Sequence, residues 1–131
     1  MSFTELLRQN ECWRSVALTK PRLFRKGYKF YDNQPEMYFL ASGRVRLMAL
    51  APDGSEKTLW YLGDGSCFNE TPMLMEDDKH MAFGQNEVRF FHECAEDCYI
   101  CTFTRDDVYR LGMEKPELFY NLCKSYSVKV N

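Results

Sequence analysis

The chain has 131 residues, 45% hydrophobic and 15% aromatic, which is ample for the core of one domain on the rough prior of ~100–200 residues each. Its formal charge is −2, with acids and bases mixed along its length, so it carries neither a basic stripe for nucleic acid nor a polybasic membrane patch. The opening MSFTELLRQNECWRSVALTK is charged every few residues, no run long enough for a signal peptide or a transmembrane segment appears, and a cytoplasmic location is expected.

In chain order the pattern reads helix, strands, helices. Ser2 and Glu5 fit a capping box, and Phe3, Leu6, Leu7, Trp13 and Val16 recur at helical spacing until Pro21, predicting one N-terminal helix within residues 1–21. From there to Phe103 short apolar runs are bounded by Gly, Pro, Asn and Asp: Tyr28–Tyr31, Met37–Leu40, Val45–Leu50, Thr58–Leu62, Val88–Phe91 and Cys98–Phe103. They predict a small antiparallel β domain over residues 22–103, with turns at Ser42-Gly43, Pro52–Ser55 and Gly63–Gly65. Thr104 with Asp107 resembles a second capping box, leading into a helix that Gly112 is expected to stop. Pro116 then opens a last helix with Leu118, Phe119, Leu122, Tyr126 and Val130 near one side, completing a helical segment over residues 104–131.

Six cysteines without a secretion signal argue for reduced thiols or a metal site rather than a disulfide framework. Cys94, Cys98 and Cys101, with His92 just before them, have spacing at which thiolates bind zinc or an iron–sulfur cluster. Against that, Cys98, Ile100, Cys101 and Phe103 share an apolar strand-like run, where cysteine behaves as a small hydrophobe and alternation puts Cys98 and Cys101 on opposite faces. His80, His92 and Cys67 are candidate haem ligands without a matching pattern around them. No clustered pair of histidines with a carboxylate supports a metal oxygenase, and no Cys–His or Ser–His arrangement marks a nucleophile, so an enzyme is not expected.

The runs S-G-R-V-R-L (Ser42–Leu47), P-D-G-S-E-K-T-L (Pro52–Leu59) and Y-L-G-D-G-S-C-F-N-E (Tyr61–Glu70), followed by a strand around Cys98 and a terminal helix, resemble the sensor domain of the Crp/Fnr transcription regulators over residues 22–131. The resemblance implies a jelly-roll-like β-roll (double-stranded β-helix) with flanking helices, the last of them the start of a dimerisation helix. It implies a cytoplasmic homodimer in the intact protein, with a small-molecule effector, no cofactor, no membrane contact and no nucleic-acid contact by this chain. The helix-turn-helix domain of such regulators has no counterpart among these residues.

In nucleotide-binding members a glycine–glutamate pair is followed about ten positions later by an arginine that holds the cyclic phosphate. Here Asn69-Glu70 keeps only the glutamate, and Lys79-His80-Met81-Ala82 stands where the arginine is expected. Losing a charged hydrogen bond of that kind removes on the order of 1.5–3 kcal/mol, which weighs against cyclic AMP. Lys124–Val130 resembles the corresponding helix of halophenol-sensing members, in which a tyrosine and a lysine reach the pocket. Carried over, this makes Tyr126 and Lys129, three apart on one helix face, candidates to bind a small organic anion or aromatic acid, with Asn69, Glu70, Thr71, His80 and Met81 completing the site. The plainer assignment makes Tyr126 a core or dimer-seam aromatic, Lys129 a solvated charge, Glu70 an exposed carboxylate, His80 a loop histidine and Met81 a core residue. Arg44 and Arg46 are expected on the outer face of their strand. The alternatives to an organic-anion sensor are a cyclic-nucleotide-binding domain and a cysteine-based iron–sulfur or redox sensor.

Overall fold

The computed structural model describes residues 8–31, 35–74 and 88–130. The strands are β1 (Arg22–Phe24), β2 (Lys29–Tyr31), β3 (Glu36–Ser42), β4 (Val45–Leu50), β5 (Glu56–Leu62), β6 (Ser66–Phe68), β7 (Arg89–Cys94) and β8 (Cys98–Thr104), followed by helices α1 (Arg105–Glu114) and α2 (Pro116–Val130). Two four-stranded antiparallel sheets result, ordered β1-β8-β3-β6 and β2-β7-β4-β5, so that, apart from the β4–β5 hairpin, successive strands alternate between the sheets as in a jelly roll. The mainly β architecture with flanking helices expected from the sequence is the one observed.

The two faces of the first sheet explain its sequence. Tyr38 and Leu40 of β3, Phe68 of β6 and Cys98 and Ile100 of β8 turn inward and meet Phe30, Val45, Leu62 and Cys94 of the second sheet. The alternate residues Met37, Phe39, Cys67, Cys101 and Phe103 turn outward into a second core with Trp13, Val108, Leu118 and Leu122. Because both faces are covered, β3 and β8 read as near-continuous apolar runs rather than as alternating ones. Burying a large side chain in either layer contributes about 1.5–3 kcal/mol. Trp13 is fully buried edge-on against Phe103, with ring centroids 5.3 Å apart. Strands β1 and β6 are three residues long, too short for alternation to register in the sequence.

Two expectations are corrected. The described part of the predicted N-terminal helix, from Arg8 on, is a 3-10 helix over Arg8–Trp13 followed by turns, while its first residues with the Ser2/Glu5 box lie outside the described residues. Tertiary contacts of buried Asn10 and Trp13, rather than helical periodicity, fix that segment. Gly112 does not stop α1, which runs on to Glu114 and ends where the Lys115 N–H bonds Leu111 O at 2.9 Å ahead of Pro116. Instead Gly112 is buried where a Cβ would collide with the Phe119 ring, so glycine is what lets α1 and α2 approach. The Thr104–Asp107 capping box forms in both directions, with Asp107 N donating to Thr104 Oγ1 and Thr104 N to Asp107 Oδ2. Gly43, at φ +121, takes the β3–β4 turn past Cys98, whose Cα would lie 2.9 Å from a Cβ there.

Alanine at position 112 gains roughly 0.8–1 kcal/mol of helix propensity yet must displace an aromatic ring, and overpacking of this kind costs about 1–3 kcal/mol. Chemical denaturation of Gly112→Ala is expected to show net destabilisation, recovered in part by adding Phe119→Leu.

Candidate functional site

Strand β6 of the first sheet leads through Asn69 to Glu70. After β6, Asn69 adopts a left-handed φ of 61°, a conformation asparagine tolerates better than most residues, and its Nδ2 donates to Glu36 O at 2.6 Å. The chain then turns into a short 3-10 helix, Thr71–Leu74, opened by Met73 N donating to Glu70 O at 2.9 Å. Glu70 is left 3% exposed.

The partner comes from the other end of the chain. In the last turn of α2, Lys129 Nζ donates to Glu70 Oε1 at 2.8 Å and to Cys67 O at 2.7 Å, and the two charged side chains are only 10% and 4% exposed. Lys129 is therefore not a solvated charge, nor Glu70 an exposed carboxylate. The pair sits where solvent screening is weak, so each charge depends on the other for its burial.

A stripe on α2 aims Lys129 there. Asn121, Ser125 and Lys129 follow at four-residue intervals and so lie on one helix face. Asn10 Nδ2 donates to Asn121 Oδ1 at 2.7 Å, while Asn10 Oδ1 accepts from Ser125 Oγ at 3.3 Å and from Cys67 N at 2.9 Å. The N–H of Cys67 is thus held by the N-terminal segment and its C=O by the C-terminal helix. Asn10, Asn121 and Ser125 escape a motif search, although the spacing N-x3-S-x3-K beside Leu118 and Leu122 marks a polar row against an apolar one.

His92 enters from the second sheet. It pairs with Phe30 and Leu47 in register, its ring lies 4.9 Å from that of Phe68, and its Nδ1 is buried without a hydrogen-bond partner among the described residues. Burial first, and then the charge of Lys129, pull its pKa from 6.5 to about 3, so the imidazole is neutral at ordinary pH. Burial likewise pushes up the Cys67 thiol. Tyr126 is half-buried one turn before Lys129. His80 and Met81 lie outside the described residues.

The cysteines do not converge. Cys94 and Cys98 flank the β7–β8 turn inside the roll, where Cys98 Sγ lies 3.3 Å from Arg44 O and 3.2 Å from Glu96 O, and the proximity of the two thiols raises that of Cys94 and lowers that of Cys98. Cys101 lies on the opposite face of β8, 3.8 Å from Thr19 O. Among the described residues, no group of three or more His, Cys, Asp or Glu side chains is placed to hold a metal ion. On the outside of the roll Arg46 pairs with Glu93 and Arg44 stacks 3.9 Å over Tyr61, beside open cavities of about 300 Å³ whose linings include neither Glu70 nor Lys129.

The sequence profile of the cyclic nucleotide-binding domain matches residues 23–115. No curated protein matches the chain. Similar solved structures include oxidized CprK in complex with o-chlorophenolacetic acid, 23% identical over 98% of this chain and 50% of that one, with a TM-score of 0.64. The Thermus thermophilus catabolite activator protein is 25% identical over 93% of this chain and 54% of its own, at a TM-score of 0.69. The c-di-GMP responsive global regulator CLP of Xanthomonas campestris is 18% identical over 92% of this chain and 60% of its own, at 0.68. The chain thus spans between half and three fifths of the length of these proteins.

Removing one member of a buried ion pair costs about 3–5 kcal/mol, whereas removing both is nearly neutral. Denaturation of Glu70→Gln, Lys129→Met and the double variant should show two destabilised singles and a double much less destabilised than their sum, short of the parent because the Cys67 carbonyl loses its donor. A second expectation follows from His92, whose folded pKa is depressed: its contribution is full above 6.5 and is lost as pH falls toward about 3, because only the unfolded chain takes up the proton. Between about pH 7 and about pH 5 this removes about 2 kcal/mol, a slope that His92→Phe should abolish.

Proposed function

The chain belongs to the cyclic nucleotide-binding domain family, and from that membership we propose that it is the effector-sensing domain of a Crp/Fnr-type transcription regulator whose effector is a small organic anion or aromatic acid. The observation that carries this reading is the Lys129–Glu70 pair, a cation brought by the C-terminal helix into the carboxylate of the roll. An entering anion takes the place of Glu70 on the ammonium, while Glu70, which leads into the 3-10 helix, turns to the hydrogen-bond donors of its own loop. Phe68, two residues before Glu70, stacks on Tyr38 and meets Phe30 edge-on, each at 5.2 Å, so an aromatic layer leads up to the pair. The CprK complex, with its bound aromatic acid, supports the same ligand class for this fold.

Regulation follows from where Lys129 stands. An effector that binds the ammonium favours one position of α2 over another and shifts the equilibrium between them, which in an intact homodimeric regulator would reorient the DNA-reading elements beyond this chain. On this reading the chain itself makes no nucleic-acid contact. Among the described residues no helix is long and apolar enough to cross a membrane. Site roles are assigned to Glu70, Lys129 and Tyr126, with Asn69 and Thr71 shaping the loop and His80 and Met81 retained as candidates from the sequence.

A second reading, a cyclic nucleotide as effector, is favoured by the family profile and by the inward Glu70, which could accept a ribose hydroxyl once Lys129 has left it. Thermal unfolding separates the two. A ligand at ~100 times its dissociation constant adds about 2.7 kcal/mol, several degrees for a domain of this size. Benzoates and phenols are expected to raise the melting temperature of the parent but not of the Glu70→Gln/Lys129→Met double variant. A shift with cyclic AMP or cyclic GMP and none with the acids would transfer the assignment to the nucleotide.

A further inference from the structure

His92 brings into the roll a polar group that neither the fold nor the ion pair employs. His92 projects from β7 into the layer of Phe30, Leu47 and Phe68, where packing alone would be served by an apolar residue. Its Nδ1 is buried and has no hydrogen-bond partner among the described residues. A buried polar atom left in that state costs free energy, which a ligand group able to bond it would recover. Phe68, whose ring lies 4.9 Å from the imidazole, directly follows Cys67, whose carbonyl accepts from the Lys129 ammonium at 2.7 Å. The unsatisfied atom and the proposed anion-holding ammonium therefore belong to one site.

We propose that His92 is a specificity-determining residue of the sensor, bonding a ring hydroxyl on an aromatic acid whose carboxylate is held by Lys129. This rests on the organic-anion reading above and names the ligand more narrowly. A neutral imidazole offers one N–H and one lone pair, and a hydroxyl, both donor and acceptor, satisfies Nδ1 in either tautomer. A carboxylate could only accept, and a methyl group could do neither. A site built to bond a hydroxyl rejects the analogue lacking it far more strongly than an apolar pocket rejects a change in size, because the analogue leaves the buried polar group unpaired.

The test compares the 2-, 3- and 4-hydroxybenzoates with the corresponding methylbenzoates, pairs equal in charge and close in size, by calorimetric titration of the whole chain. At least one hydroxy isomer is expected to bind about tenfold or more tightly than its methyl partner, and His92→Phe, which keeps an aromatic ring against Phe68, should erase that preference while retaining methylbenzoate binding. Equal binding of all pairs by the parent, or a preference that survives in His92→Phe, overturns the role of His92 and leaves the anion reading standing. If no acid of either series binds, the anion reading falls and this proposal with it. Should the variant fail to fold, the ¹⁵N resonances of His92 in the parent decide: a shift with the hydroxybenzoate and none with the methylbenzoate supports the role, and equal responses to both refute it.

Discussion

The structure turns on one constraint, that the ammonium of Lys129 and the carboxylate of Glu70 are each buried and each tolerable only because of the other. Glu70 belongs to the loop that leaves β6, and Lys129 to the last turn of α2, so the contact fixes the C-terminal helix on the roll. Apolar residues of similar size would join the two elements at least as stably. An ion pair adds something a greasy seam lacks, since a charged ligand can replace one of its members. On the proposed function the site is closed by a side chain of its own helix.

What surrounds the pair keeps it in register. Asn10 bonds Asn121, Ser125 and the Cys67 amide, and Lys129 bonds the Cys67 carbonyl, so one residue of β6 is gripped through its backbone by both ends of the chain. Below this row Leu118 and Leu122 pack on Trp13 and Phe103, and Gly112 admits Phe119 between the helices. The apolar row supplies adhesion and the polar row supplies register, because a helix shifted by one residue would take Asn121 from the Asn10 amide nitrogen and Lys129 from the buried Glu70 carboxylate. A change at Lys129 is thereby passed to a helix that has few acceptable positions.

Much of the β-roll was legible from local chemistry. β4 matches its predicted bounds, and β3, β5 and β8 contain theirs, since their turns are marked by Gly and Asp and their apolar runs are dense. The Thr104–Asp107 box was legible for the same reason, being complete within four residues. Gly112 and the N-terminal segment misled, because a glycine required by a neighbouring ring looks like a helix stop, and Asn10 and Trp13 owe their conformation to distant partners. Within the site, Glu70 and Lys129 were named from the resemblance, yet their pairing across 59 residues follows from no local pattern. Asn10, Ser125 and His92 acquire meaning only when the sheets and α2 bring them together. The resemblance to Crp/Fnr sensors supplied the fold, and the family profile over residues 23–115 agrees with it.

The most direct measurement is a crystal structure of the domain bound to an aromatic acid that raises its melting temperature. The account predicts the Lys129 ammonium on the ligand's anionic group, with Glu70 released from it and α2 displaced relative to β6. A bound ligand beside an intact Lys129–Glu70 contact and an unmoved helix would contradict the exchange of partners on which the account depends.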